Sequence, residues 1–328
     1  MSGDEREPDE ERLTAEIERV MRASLEKSYA PGATLRDAHA KHHGLLAARF
    51  DVVPDLPPEL RVGLFAEAKS CAAWVRCSSS SPKPVSDAVK DVRGLAIKLL
   101  DVPGDKIPES DEPRTQDFVL LSFPSMPLGT VRLFHDAICL SLEWSPLAFA
   151  AKMLLTGRAR VLRELARARI NPTSPLEIRY WSTTPYSFGK ERVVKYSLLP
   201  ASGTPTRLPA ELTEHYLSDA MERRLAVEDV SFDFAVQLRT GDMPVDDAAP
   251  RWDEGVSPFR RVATLTVPRQ VFRTPERDQL AEQLAFSPAH ARGEHRPLGS
   301  INRARMRVYR ANSDFRHQRR GLPKLHGA

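Results

Sequence analysis

The chain has 328 residues, 41% of them hydrophobic and 28% charged, the composition of an ordinary soluble globular protein, and no apolar run approaches the length of a bilayer-crossing helix. The net charge of +4 is spread over interleaved acidic and basic residues, which gives no nucleic-acid footprint; only residues 303–324 concentrate basic side chains. Residues 1–12 are acidic and polar, unlike a secretory leader. The three cysteines, Cys71, Cys77 and Cys139, lack metal or redox spacing and read as buried thiols of a reducing compartment, so a cytoplasmic location is expected. The 27 prolines favour extended connections wrapped around a core over a helical bundle.

In chain order, Leu13, Ile17, Val20, Met21 and Leu25 follow a three-four spacing. This predicts an amphipathic helical arm within residues 1–30, packed on the body or on a second subunit. Residues 73–79 read as a strand entering a Ser/Pro loop, and residues 91–98 as another strand. Gly94 inside the second strand predicts a bulge or the close approach of something flat. Residues 115–122 form a third strand, and residues 147–168 one helix ended by Asn171-Pro172. Two strands around Tyr180 and Val194 are joined through Pro185, Gly189 and Lys190, and residues 212–225 read as a short helix. Val230, Phe232, Phe234, Val236 and Leu238 alternate with other side chains, the clearest strand in the chain, and residues 262–267 give the last one.

Two clusters carry candidate chemistry. His39, His42 and His43 read as a surface cluster or as metal ligands, although spacings of three and one do not share a helix face. Near the carboxyl end, Asn302, Arg305, Tyr309, Asn312 and Arg316 share one side of a helix without Pro or Gly. A phenol is neutral at pH 7, with a pKa of about 10. A guanidinium one turn away favours the phenolate, which is able to hold ferric iron from below a haem, and Arg316 lies two turns on, within reach of a propionate. The other reading of this stretch is a basic, solvated helix with one half-buried tyrosine.

Further motifs then line up. Leu35-Arg36-Asp37-Ala38-His39-Ala40-Lys41 resembles the distal histidine segment of the haem catalases. Val75-Arg76-Cys77-Ser78 resembles that family's Val-Arg-Phe-Ser, and Asp91-Val92-Arg93-Gly94-Leu95-Ala96-Ile97-Lys98 its next barrel strand. Glu282-Gln283-Leu284-Ala285-Phe286-Ser287-Pro288 resembles Glu-Gln-x-Ala-Phe-x-Pro, and Arg305 to Tyr309 the proximal Arg-x-x-x-Tyr. The resemblance runs from about residue 34 to 320 in one order. It implies an α+β fold: an antiparallel β-barrel with flanking helices over residues 31–328, after a helical arm at 1–30.

The resemblance also implies haem b as cofactor, with Tyr309 as the iron ligand and Arg305 keeping it ionised. His39 would be general base and then acid, and Ser78 its hydrogen-bond partner. Arg36, Arg76 and Arg316 would meet propionates, and Phe134 would stack on the haem. The expected activity is consumption of hydrogen peroxide, as catalase or peroxidase. At the place of the family's distal asparagine the chain carries Leu121, followed by Ser122. That departure keeps two alternatives: an organic or lipid hydroperoxide rearranging enzyme like the catalase-like allene oxide synthases, or a non-catalytic haem-binding protein. In those synthases a Thr precedes the distal His, whereas here the residue is Ala38. A minimal form without the family's C-terminal domain is expected, with a more exposed haem channel, assembled as a homo-oligomer.

Overall fold

The computed structural model describes residues 8–201 and 206–325; residues 1–7 of the acidic lead-in lie outside them. Nine strands form one antiparallel sheet: β1 (His42–Val52), β2 (Ser70–Ser79), β3 (Arg93–Leu99), β4 (Gln116–Leu121), β5 (Tyr180–Trp181), β6 (Tyr186–Phe188), β7 (Arg192–Pro200), β8 (Val230–Leu238) and β9 (Arg260–Val267). Their order is β5-β4-β3-β2-β1-β9-β8-β7-β6, and β5 also pairs with β7. Eight strands therefore close on themselves, with β6 as an annex to β7. Closure removes the free edges that an open sheet would have to protect.

Strand alternation decides what fills the barrel. Val230, Phe232, Phe234 and Val236 of β8 join Val75 and Cys77 of β2, Leu95 and Ile97 of β3, and Phe118 and Leu120 of β4 in one core. The rings interlock: Phe118 and Phe234 have centroids 4.6 Å apart, and Phe50 meets Phe234 edge-on at 5.1 Å. A barrel filled this way has no room for a ligand inside. Function must lie on the outer face, where the same alternation places Ser78, Gly94 and Leu121 in one cross-strand row and Arg76, Ala96 and Val119 in the next.

Seven α-helices surround the barrel among the described residues: α1 (Glu10–Ser28), α2 (Val131–Cys139), α3 (Pro146–Leu155), α4 (Ala159–Arg167), α5 (Tyr216–Leu225), α6 (Pro275–Gln283) and α7 (Ser300–Arg320). The spaced apolar residues of α1 pack on α2 and α7, Leu13, Ile17 and Met21 meeting Val131, Ala304 and Val308. Ion pairs from Arg303 to Glu10 and from Arg307 to Glu18 hold the same contact.

Three expectations are corrected. Residues 147–168 are two helices, because Gly157 adopts φ +70° between them, a left-handed conformation that ends α3. The histidine-rich stretch opens β1, an eleven-residue strand whose apolar core positions were hidden by small and polar neighbours. The short helix before β8 starts at Tyr216, not near residue 212.

Candidate active site

A cavity lies on the outer wall of β2, β3 and β4. One wall carries His39, Arg76, Ser78 and Gly94, and Arg36 belongs to the same lining. Tyr309, Asn312 and Arg316 come from α7 and line the same space. The helical spacing that put them on one side thus brings them to the histidine.

His39 is held tightly. Its backbone has φ +55°, a region costing on the order of 1–3 kcal/mol for a residue with a side chain. Its N–H donates to Ser80 O, the carbonyl of His39 accepts from Arg76 Nη2 at 2.9 Å, and Ala40 N–H donates to Ser81 O. Asp91 fixes the receiving loop, accepting from the Ser80 hydroxyl and from both the backbone N–H and the hydroxyl of Ser81. The imidazole lies against Gly94, where a Cβ would stand 2.5 Å from Cε1 and 2.7 Å from Nδ1. The flat object predicted at Gly94 is therefore this imidazole.

Nδ1 of His39 is 2.9 Å from Ser78 Oγ. Burial, then the charge of Arg76, lowers the pKa of His39 to about 4, so the ring is neutral near pH 7 and free to accept a proton. His42 and His43 diverge from it. His43 is buried against Ser79, while His42 lies 3.7 Å from Asp278.

On α7, Arg305 Nη2 donates to the Tyr309 hydroxyl oxygen at 3.3 Å. Arg305 is positioned by Asn302 Oδ1 at 3.1 Å and Thr184 Oγ1 at 3.4 Å, and Asn302 in turn donates to the carbonyls of Pro185 and Leu298. Burial works against the Arg305 charge, but Tyr309 and Tyr186 outweigh it and raise its pKa. Asn312 contributes a carboxamide to the cavity, its Nδ2 donating to Asp37.

The predicted propionate arginines surround one carboxylate. Arg36, Arg316 and Arg320 all pair with Glu282, and Arg36 also donates to the carbonyls of Ala281 and Leu284. Arg76 is buried without an ion pair among the described residues, and its Nε has no hydrogen-bond partner. Burial opposes the Glu282 charge, yet Arg36, Arg316, Arg76 and Arg320 together hold its pKa at about 2. Burial, reinforced by Arg36, lowers Arg316 to about 9 and brings Arg76 well below its ordinary value. Four cations face Glu282 and, beside Arg316, Asp37, an excess of positive charge largely out of water that an anionic ligand would relieve.

Phe134 is corrected: it packs beside α1 and α7 with Ile138 and is not among the cavity-lining residues. An ungapped count carried it there, whereas the chain turns into α2 before it. Phe286, from the Glu-Gln-x-Ala-Phe segment, is the ring that lines the cavity. Leu121 faces Gly94 across the ladder, on the outer face of the wall, and brings no carboxamide. The Ser122 hydroxyl accepts from the Arg93 N–H, so it is already occupied. The sequence reading also gave no role to Glu282 or to Asp91, though both stood inside the quoted motifs.

A closed eight-stranded antiparallel barrel with a filled interior and its cavity on the outer wall is a catalase fold. It is shared with a fungal catalase solved at 1.9 Å (19% identity, 91% of this chain and 62% of that one, TM-score 0.69). It is shared too with catalase A from Saccharomyces cerevisiae (17%, 92% and 66%, TM-score 0.71) and with a bacterial catalase (18%, 92% and 61%, TM-score 0.66). The chain thus spans less than two thirds of the length of each. No family model and no curated protein matches its sequence.

Proposed function

We propose that this protein is a haem-dependent enzyme of the catalase/peroxidase class that consumes hydroperoxides. The observation that carries this reading is that His39 and Tyr309, far apart in sequence, line one cavity beside an unbalanced arginine cluster. The residues fit haem b: a dicarboxylate edge would supply the anions that Arg36, Arg76 and Arg316 lack, and a phenol oxygen under a guanidinium suits ferric iron. Bound haem would supply the redox chemistry of the O–O bond.

This chain's own groups do the rest. Neutral His39 takes the proton from the hydroperoxide O–H and returns it to the departing oxygen, and Ser78 fixes the ring through Nδ1. Arg305 donates a hydrogen bond to the Tyr309 oxygen and so orients it toward the cavity side of α7 that Asn312 and Arg316 share. The apolar lining from Ala96, Val119 and Phe286, with Leu121 in place of a carboxamide, favours a second substrate reading beside hydrogen peroxide: an organic hydroperoxide, reduced or rearranged.

The deciding experiment is haem reconstitution followed by hydroperoxide consumption, with hydrogen peroxide and with a fatty acid hydroperoxide. The expected result is a Soret band in the wild type, a lost or shifted band in Tyr309→Phe, and consumption reduced by ~10²–10⁴-fold in His39→Ala. A protein that takes up no haem, or a His39→Ala variant as fast as wild type, overturns the proposal.

A further inference from the structure

The helical hairpin α3–α4 is unlike the rest of the surface. Its inner side is ordinary, with Phe149 and Met153 buried against Leu133, Leu140 and Leu162. Its outer side is equally apolar. Trp144, Leu147, Leu154 and Leu155 are 80%, 79%, 61% and 88% exposed; Leu147 and Leu154 lie seven residues apart on one side of α3, Leu155 is next to Leu154, and Trp144 precedes the helix across the extended Ser145. A helix apolar all round is normally buried on every side or lies in lipid. Half of the exposed large hydrophobic side chains among the described residues fall between 142 and 155.

The chain then turns at Gly157 into a run of cations. Arg158, Arg160, Arg163 and Arg169 are exposed and make no ion pair among the described residues. The acidic groups nearby are already engaged, Glu143 with Arg19, and Glu164 with Arg167 and Arg251. The basic 303–324 tail, the richest stretch by sequence, is by contrast largely neutralised through Glu10, Glu18, Glu282 and Asp111. Four exposed arginines without an ion pair among the described residues thus follow directly on the exposed apolar side chains of residues 142–155.

We infer that this hairpin docks the protein on an anionic lipid membrane surface, the stripe from Trp144 to Leu155 entering the headgroup boundary and Arg158, Arg160 and Arg163 meeting lipid phosphates. Apolar insertion of an exposed tryptophan and leucines with flanking cations is the chemistry of interfacial attachment. No helix of the described residues is long and apolar enough to cross a membrane, so the attachment is peripheral. A nucleic acid would use the arginines but has no use for two bare leucines at a helix end. The stripe also continues into a cleft where Leu142 and Asp37 share the lining, and Asp37 lines the central cavity as well.

The test is co-sedimentation of the full chain with phosphatidylcholine vesicles, with and without phosphatidylserine. The wild type is expected on the phosphatidylserine vesicles, released by high salt. Leu154→Ser with Leu155→Ser lowers the partition coefficient at least ~10-fold, and charge reversal at Arg158, Arg160 and Arg163 by ~100-fold. All these side chains are exposed, and thermal melts matching the wild type confirm that the variants fold. Wild-type protein that stays in the supernatant, or either variant binding as wild type does, overturns the inference. So does a wild-type dimer without vesicle binding that Leu154→Ser/Leu155→Ser turns into a monomer, which would make the stripe a self-association face. Binding to a DNA duplex that only the arginine variant loses, without vesicle binding, overturns it in favour of nucleic acid.

Discussion

Two regions lie side by side on the outer face of β3 and handle charge in opposite ways. Around Lys98, three carboxylates (Asp111, Glu112 and Asp117) meet Lys98, Lys324 and the His290 imidazole at hydrogen-bond distance. Two positions along the strand, Ala96 leaves the face bare, and the cations beyond it share Glu282, with Asp37 beside Arg316. Burying ions is tolerable when each charge has a partner group, and in the first region each carboxylate meets a lysine or the His290 imidazole. The second leaves Arg76 Nε without a partner and a cavity open beside it. A matched cluster needs no more than the fold to account for it; the unmatched one of similar burial is where the proposed anionic ligand would sit.

The comparison breaks most sharply at Lys98. Lys98→Met leaves Glu112 and Asp117 buried without their cation, and unfolding stability should fall by about 3–5 kcal/mol in urea titration. Next comes Gly94, which keeps the bare end bare. Gly94→Ala sets a methyl against the His39 ring, with an expected loss of about 1–3 kcal/mol and a fall in hydroperoxide consumption approaching that of His39→Ala. Arg76→Met sharpens the contrast with Lys98→Met: stability without ligand should hold or rise, while haem affinity, measured by competition with a second haem-binding protein, falls by about 10-fold or more. A loss of stability equal to that of Lys98→Met would erase the distinction between the regions.

The smallest effects are those of pH, and they run in opposite directions. His39 has its folded pKa lowered to about 4 from 6.5. Below pH 6.5 the unfolded chain takes up a proton that the folded ring refuses, so stability declines as pH falls from 6.5 toward 4. Hydroperoxide consumption should stay flat above that window and fall as pH drops through about 4. His290 shows the reverse. Burial opposes its charge, but Asp117 and Asp111 raise its pKa. Its contribution is complete below pH 6.5 and is lost as pH rises through the raised value. His290→Gln should flatten the alkaline side of a thermal-stability profile and leave the acid side unchanged.

Much of this was legible in the residues. The alternation of β8, the amphipathic face of α1 and the shared side of Tyr309, Asn312 and Arg316 all follow from local geometry, and the structure has each of them as read, with Arg305 bonded to Tyr309 but outside the cavity lining. The ordered motifs pointed to a barrel of the catalase type, and the closed eight-stranded sheet agrees. Phe134 was misplaced because counting along a chain assumes no change of direction, and α2 begins three residues earlier. The single helix over 147–168 was misread because its apolar spacing continues across Gly157 while the backbone does not.

The sequence by itself determined which side chains share a face, since neighbours on a strand or helix are set by fixed periods of two and 3.6 residues. Only the tertiary structure decided that Glu282 serves three arginines from two parts of the chain, that Arg76 goes without, and that an imidazole rather than a ligand fills the space over Gly94. Those outcomes depend on sums of charge and volume over segments as distant as residues 36, 76, 282 and 316, and no local period encodes such a sum.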